Sequence, residues 1–326
     1  MRYNKKMSNK KAYVVASVVF SILFIFLLVI GLFFYENATT LKQEVIAGRQ
    51  TIVNVAAAAV GVKISDLVKI ASSMASNESI VADVANGQWA DAADVTRDLQ
   101  NDVNYYDTYI DRIVLFDTKG VERSAYPELV GGVGTSFSSS PYFQQVLEGA
   151  PYVVSNVARR ASQPQIDVIN ILVPVSAQGT IAGVMELQIP VINFFEFGSD
   201  TSLGTYGFTY IVDSAGNIVV HPKFSSEEGN IVNVASTPIA QKVLSGNAGY
   251  DESYSNIDDE RSVTTYAPVP VYKWGIVLQE PYNEVFSGPE SILRTIEIES
   301  FVFVILDWVV AYLVLWLFKK KNKKNE

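Results

Sequence analysis

The chain carries one imidazole, His221, and no thiol in its 326 residues. Cysteine nucleophiles, disulfides and Cys/His zinc sites are therefore excluded, and acid–base work by histidine would rest on one residue. His221 closes the apolar stretch NIVVHP just before a proline, a place that reads as structural. No G-x-S-x-G, Walker A, G-x-G-x-x-G or H-E-x-x-H spacing occurs. GGVG at 131–134 lacks the third glycine of a dinucleotide loop and reads as a plain loop. Asp and Glu number 34, yet no two of them stand at a spacing that assigns acid and base roles. The expectation is a protein that is not an enzyme, with no metal and no cofactor.

One further residue is chemically out of place. Asp307 interrupts the apolar run FVFVILDWVVAYLVLWLF at 301–318. A carboxylate about six residues inside a hydrocarbon span is costly and usually faces protein. Asp307 is therefore the candidate contact with a partner helix, from a second copy or another protein.

The elements that would carry these residues begin with the membrane. The chain is 49% apolar and only 18% charged, and two segments hold the excess. Residues 12–35 contain VVASVVFSILFIFLLVIGLFF, free of charge and long enough at about 1.5 Å per residue to cross roughly 30 Å of hydrocarbon. No A-x-A-like cleavage site follows, so an uncleaved anchor is expected. Residues 301–318 form the second expected span. Arg2, Lys5, Lys6, Lys10 and Lys11 precede the first span, and Lys319, Lys320, Lys321, Lys323 and Lys324 follow the second. By the positive-inside rule both termini are cytoplasmic and residues 36–300 lie outside, in a two-pass plasma-membrane protein embedded in the lipid bilayer. The net charge of −9 then divides unevenly: 15 basic and 32 acidic side chains give residues 36–300 a charge of −17. That acidity excludes nucleic acid as a partner and reads as a solubility device.

Outside the membrane the periodicity is first helical. Val53, Val60, Ile64, Leu67, Val68, Ala71 and Met74 recur at steps that place them on one helix face. A short helix is expected over 79–86, ended by Gly87, and another carrying Val95, Leu99, Val103 and Tyr106. From about residue 109 the pattern becomes strands. YIDRIVLFD, VERSAY, YVVSNVARR, QIDVINILVPV and TIAGVMELQIP read as five strands, with a helix at PYFQQVLEG between the second and third. The same order recurs in YGFTYIVD, NIVVHP, a helix at TPIAQKVLSG, then AGYDESYSN, VTTYAPVPV and WGIVLQEP. Asp117-x-x-Gly120 matches Asp213-x-x-Gly216, and Val173-Pro174-Val175 matches Val269-Pro270-Val271, each 96 residues on. Two tandem antiparallel α/β modules are expected.

An uncleaved span, a long helix and two such modules resemble the double Cache sensor family. SPYFQQVLEGAPYVVS resembles the helix-and-strand signature of its membrane-distal module, and YGFTYIVDSAGNIVVHP the opening hairpin of its membrane-proximal module. The resemblance implies an α+β fold: two transmembrane helices flanking a tandem PAS-like (double Cache) ectodomain with a long N-terminal helix. The expected organisation is a cytoplasmic N-terminus (1–11), a span (12–35), a long helix and helical stalk (36–108), a distal module (109–198), a proximal module (199–285), a linker helix (286–300), a second span (301–318) and a Lys-rich tail (319–326). It also implies extracellular sensing of a small solute, as in chemoreceptors and sensor histidine kinases. With eight residues after the second span, output is expected to pass through a homodimer or a separate membrane or cytoplasmic signalling partner.

In that family the ligand sits between the distal sheet and its helix-bearing loops. The corresponding residues here are Tyr142, Phe143, Tyr152, Arg159, Arg160, Asp167 and Asn170, with Gln188 late in the last strand. Alternation along YVVSNVARR would turn only one of the two arginines to a given face, where it could hold a carboxylate in bidentate fashion. Amino-acid-sensing members carry an Arg just before the aromatic pair, where Ser140 stands, and an Asp at the place of Gln188. Both charged anchors are replaced. A neutral solute therefore stands open beside an unused pocket, the latter fitting a structural or adhesion-type surface protein or a truncated receptor.

Overall fold

A computed structural model describes residues 2–104, 110–194, 207–222, 231–255 and 260–324. The chain divides into two units, Arg49–Tyr282 and Met1–Gly48 with Asn283–Glu326.

The first helix, α1 (Arg2–Ala75), runs unbroken for 74 residues. Within Arg49–Tyr282 the expected stripe is buried as a row: Val53, Val60, Ile64, Leu67, Val68, Ala71 and Met74 all pack into the core. Helix α2 (Glu78–Asn86) begins where the Asn77 side chain accepts the N–H groups of Ser79 (3.0 Å) and Ile80 (3.3 Å), and ends at Gly87 with φ 73°. In α3 (Trp89–Asn104) the deepest positions are Ala92, Thr96 and Gln100, the last two one place on from the expected Val95 and Leu99, which with Val103 are half-buried. The reason is polar: Gln100 Nε2 donates to the Ile110 carbonyl at 2.8 Å and ties the helix to the first strand. Tyr106 lies outside the described residues.

The first sheet contains β1 (Arg112–Asp117), β2 (Glu122–Tyr126), β3 (Val153–Val154), β4 (Ala158–Arg159), β5 (Asp167–Ala177) and β6 (Thr180–Pro190), with α4 (Pro141–Leu147) after β2. Its order is β2-β1-β6-β5-β3, β4 also pairing with β5, and its pairings are antiparallel. The single strand expected from YVVSNVARR is thus two short ones. The ladder breaks because Ser155 Oγ accepts the Asn170 N–H (2.8 Å), while the N–H groups of Asn156 and Val157 turn away to Tyr142 and Asp213.

The second sheet contains β7 (Phe208–Val212), β8 (Ile218–Val220), β9 (Gly249–Ser255), β10 (Glu260–Val269) and β11 (Trp274–Pro281), with α5 (Pro238–Leu244) after β8. Its order, β8-β7-β11-β10-β9, repeats that of the first. The repeat also holds at its turns. Asp117 Oδ1 accepts the N–H groups of Lys119 and Val121, and Asp213 Oδ1 those of Ala215 and Asn217. Gly120 (φ 79°) and Gly216 (φ 80°) take the left-handed conformation that glycine adopts at no steric cost.

Alternation of side chains puts the two faces of the first sheet to different uses. Ile113, Leu115, Ile169, Ile171, Met185 and Leu187 join the core that holds α1. Val114, Phe116, Leu172 and Val184 pack with Phe143 and Val146 of α4.

The last helix, α6 (Tyr282–Lys324), lies almost wholly in the other unit with the first part of α1. One described helix, within Ser17–Ala75, is long and apolar enough by composition to cross a membrane, and none of its most apolar window is buried. Residues 301–318 are helical, with Phe301, Trp308 and Tyr312 exposed.

Candidate ligand pocket

The α4 face of the first sheet carries the polar positions as well as the apolar ones. Arg112 of β1 stands opposite Gln188 of β6, which stands opposite Asn170 of β5. Glu186 follows one rung on, opposite Val114 and Leu172. Arg112, Asn170, Leu172, Glu186 and Gln188 floor a cavity of about 180 Å³. Its walls come from Phe137, Ser140 and Tyr142 around the start of α4, from Gly131 and Gly132, and from the segment Ala158 to Ser162.

Four charged groups are buried in it or at its edge, which is expensive unless they are paired. Arg112 Nη2 donates to Glu122 Oε1 at 2.5 Å, and its Nε to the Pro127 carbonyl at 3.1 Å. Burial pushes the Glu122 carboxyl up, and Arg112 opposes the shift. Arg160 pairs with Asp111 and donates twice to the Pro164 carbonyl. Glu186 is 7% exposed and accepts from Gln188 Nε2 at 2.8 Å. Burial pushes its carboxyl up to about 7; the Gln188 hydrogen bond and Arg112 pull it down, and Glu122 adds to the rise. The close approach of the loop needs Gly132, where a Cβ would stand 2.5 Å from Arg112 Nη2.

Three buried polar atoms of the cavity lining have no hydrogen-bond partner among the described residues: Asn170 Oδ1, Gln188 Oε1 and Ser162 Oγ. An orphaned buried polar atom typically costs about 1–3 kcal/mol, so three around one cavity call for an explanation.

The structure brings Tyr142, Arg159, Arg160, Asn170 and Gln188 together at this cavity. Tyr142 also takes the Asn156 N–H on its hydroxyl at 3.1 Å. Both arginines line it, against the alternation argument, because the break at 155–157 ends the strand on which that argument rested. Neither guanidinium stands alone in solvent: Arg159 meets Asp167 at 3.0 Å, and Arg160 is buried. Asp167 acts as the partner of Arg159 and forms no part of the lining. Phe143 stands outside it too, packed edge-on against Phe116 at 5.9 Å, and Tyr152 packs on the opposite core. Asp307 lies in α6, and its side chain is outside the described residues.

Arg112, Glu122, Ser162 and Glu186 escaped the sequence reading. For Arg112 and Glu186 the signal was a charge inside an otherwise apolar strand, Arg in DRIVLFD and Glu in GVMELQIP, since a buried polar residue is more informative than a buried apolar one. Elsewhere His221 is buried, its ring 4.9 Å from Phe208 and 5.2 Å from Tyr210. Among the described residues no group of three His, Asp or Glu side chains is placed to hold a metal ion.

Known proteins can now be set beside this geometry. No curated protein sequence matches the chain. Among solved structures it is similar to the ligand-binding domain of the Pseudomonas fluorescens chemoreceptor CtaA in complex with L-isoleucine, at 16% identity and TM-score 0.59, over 77% of this chain and 98% of that one. It is similar to the ligand-binding domain of the Pseudomonas aeruginosa PAO1 amino-acid chemoreceptor PctB in complex with L-Arg, at 13% identity and TM-score 0.57, over 75% and 98%. The extracellular domain assigned to a histidine kinase, rpHK1S-Z16, is matched at 15% identity and TM-score 0.57, over 73% and 95%. At such identities the likeness is one of fold. The sequence itself matches the Cache domain model over residues 37–289, a span that takes in both sheets and their shared helix. The chain therefore belongs to the Cache domain family.

Proposed function

We propose that this chain is a membrane-anchored extracellular sensor whose first Cache module binds a small polar solute. The observation that carries the reading is the cavity on the α4 face, with Asn170 Oδ1, Gln188 Oε1 and Ser162 Oγ buried around it and unpaired. Buried polar atoms left without partners around a small cavity are the groups a ligand would satisfy. Family membership agrees, as do the similar domains solved with L-isoleucine and L-Arg. The reading places residues 36–300 outside a two-pass anchor, with residues 12–35 and 301–318 as spans and lysines at both cytoplasmic ends. Asp307 would meet a partner helix, so Asp307→Leu should weaken co-purification of a second copy or of a signalling partner; unchanged association removes that role.

The sensor reading is tested on the full chain in detergent or nanodiscs, by thermal shift against a broad panel of small metabolites. A ligand should raise Tm in a concentration-dependent way. Asn170→Leu, which removes one of the unpaired acceptors, should abolish the shift without lowering the Tm of the ligand-free protein. A panel without any shift at millimolar concentration refutes the reading.

A further inference from the structure

The charges around the cavity do not balance. From β1 comes Arg112, from β2 Glu122, and from the segment around β4 Arg159 and Arg160; Asp111 precedes β1 and Asp167 opens β5. Each arginine already has its carboxylate: Arg112 has Glu122, Arg159 has Asp167, and Arg160 has Asp111. Glu128, in the loop after β2, adds a further negative charge acting on Glu122. The other carboxyl of the lining besides Glu122, Glu186, forms no ion pair among the described residues, and its hydrogen-bond partner is the neutral amide of Gln188. Each arginine of the lining is thus neutralised by its own carboxylate, and Glu186 is the carboxyl left without a cation among the described residues. The atoms left unpaired at this floor, Gln188 Oε1 and Asn170 Oδ1, are acceptors on the same face of β6 and β5. Phe137 and Tyr142 add aromatic rings to the wall, surfaces that attract a cation.

We propose that the pocket selects small protonated amines that lack a carboxylate, the ammonium seated against Glu186 with N–H groups on Gln188 and Asn170. The proposal rests on the sensor reading above and names its ligand class. An α-amino acid fits poorly, because among the described residues each guanidinium of the lining already has a carboxylate on it. The raised titration of Glu186 agrees: an ammonium supplies the charge that the protein does not, and on binding it displaces the proton the empty pocket holds near neutral pH.

The test uses matched probes. Isobutylamine, phenethylamine, putrescine and agmatine are titrated calorimetrically into the full-length protein, beside the amino acids that differ from them only by a carboxylate: valine, phenylalanine, ornithine and arginine. At least one amine should bind ten-fold or more tightly than its amino acid. Its affinity should rise about tenfold from pH 6 to pH 8, as Glu186 gives up its proton, with proton release visible as a dependence on buffer ionisation heat. Glu186→Gln, which keeps shape and the Gln188 contact, should stay folded and lose both the amine preference and the proton release. An amino acid that binds as tightly as its amine, or amine binding that survives in Glu186→Gln, overturns the amine class and leaves the sensor reading standing. If no amine binds while another metabolite of the broad panel does, the class alone fails. If nothing binds, both readings fall together.

Discussion

Glu186 makes the folded protein sensitive to pH in a direction opposite to that of most carboxylates. Its ordinary value of 4.5 is pushed up to about 7 in the fold, chiefly by burial. Between those values the folded chain holds a proton that the unfolded chain releases. The stability tied to this group is therefore fully present below about 4.5 and is lost as pH rises through about 7. A shift of this size corresponds to something on the order of 3 kcal/mol at alkaline pH. The Tm of the ligand-free protein should fall from pH 5 to pH 8, and Glu186→Gln should remove most of that slope; a slope that persists assigns the titration to another group. Beside it, Gly132→Ala should drive the Arg112 and Glu122 pair apart, since the new Cβ stands 2.5 Å from Arg112 Nη2 and 2.6 Å from Glu122 Oε1. The expected loss is about 1–3 kcal/mol, measured by urea unfolding. A neutral result would mean that the loop moves instead of the pair. Glu186 was legible in the linear sequence only as a charge inside an apolar run, and Glu122, in VERSAY, looks like an ordinary carboxylate until burial decides otherwise.

At the scale of elements, the two hairpins share one turn but carry different loads. Asp117 closes its own turn and meets Arg123 at the surface. Asp213 is fully buried, and in addition to its turn it accepts the Val157 N–H (2.8 Å) and Asn217 Nδ2 (2.9 Å). Ser214 Oγ donates to Asn156 Oδ1 next to it. The second sheet's hairpin thus holds the broken strand of the first, at residues that also position Tyr142 and Asn170 through hydrogen bonds. Asp213→Ala should cost about 3 kcal/mol, because buried N–H groups lose their acceptor, and Asp117→Ala about 1 kcal/mol. Equal losses in chemical unfolding would show that the contact across the two sheets contributes nothing. Asp213→Ala should also weaken ligand binding, although Asp213 is not part of the cavity lining. The turns themselves were legible from D-x-x-G and its 96-residue repeat. The break in YVVSNVARR was not, since one of the groups that draws its N–H groups away, Asp213, lies more than fifty residues off.

For the whole molecule the membrane reading gives a direct check, because the chain has no cysteine of its own. Ser138→Cys, in an exposed loop of the first module, should react with a membrane-impermeant maleimide in intact cells. Asn322→Cys, among the terminal lysines, should react only after permeabilisation. Labelling of Asn322→Cys in intact cells would overturn the two-pass arrangement. By itself, the sequence determined what depends on local periodicity and composition: the apolar stretch of α1, the buried stripe from Val53 to Met74, the repeated strand order and the turns between strands. Tertiary structure alone brought Arg112, Glu122 and Glu186 into the pocket. Arg112, Glu122, Arg160, Asn170 and Glu186 are far apart along the chain, and the antiparallel register of β1, β6 and β5 sets Arg112, Gln188 and Asn170 in one row. Which arginines are already paired, and which carboxyl is left for a ligand, follows from that register and from burial, neither of which is written in any one segment.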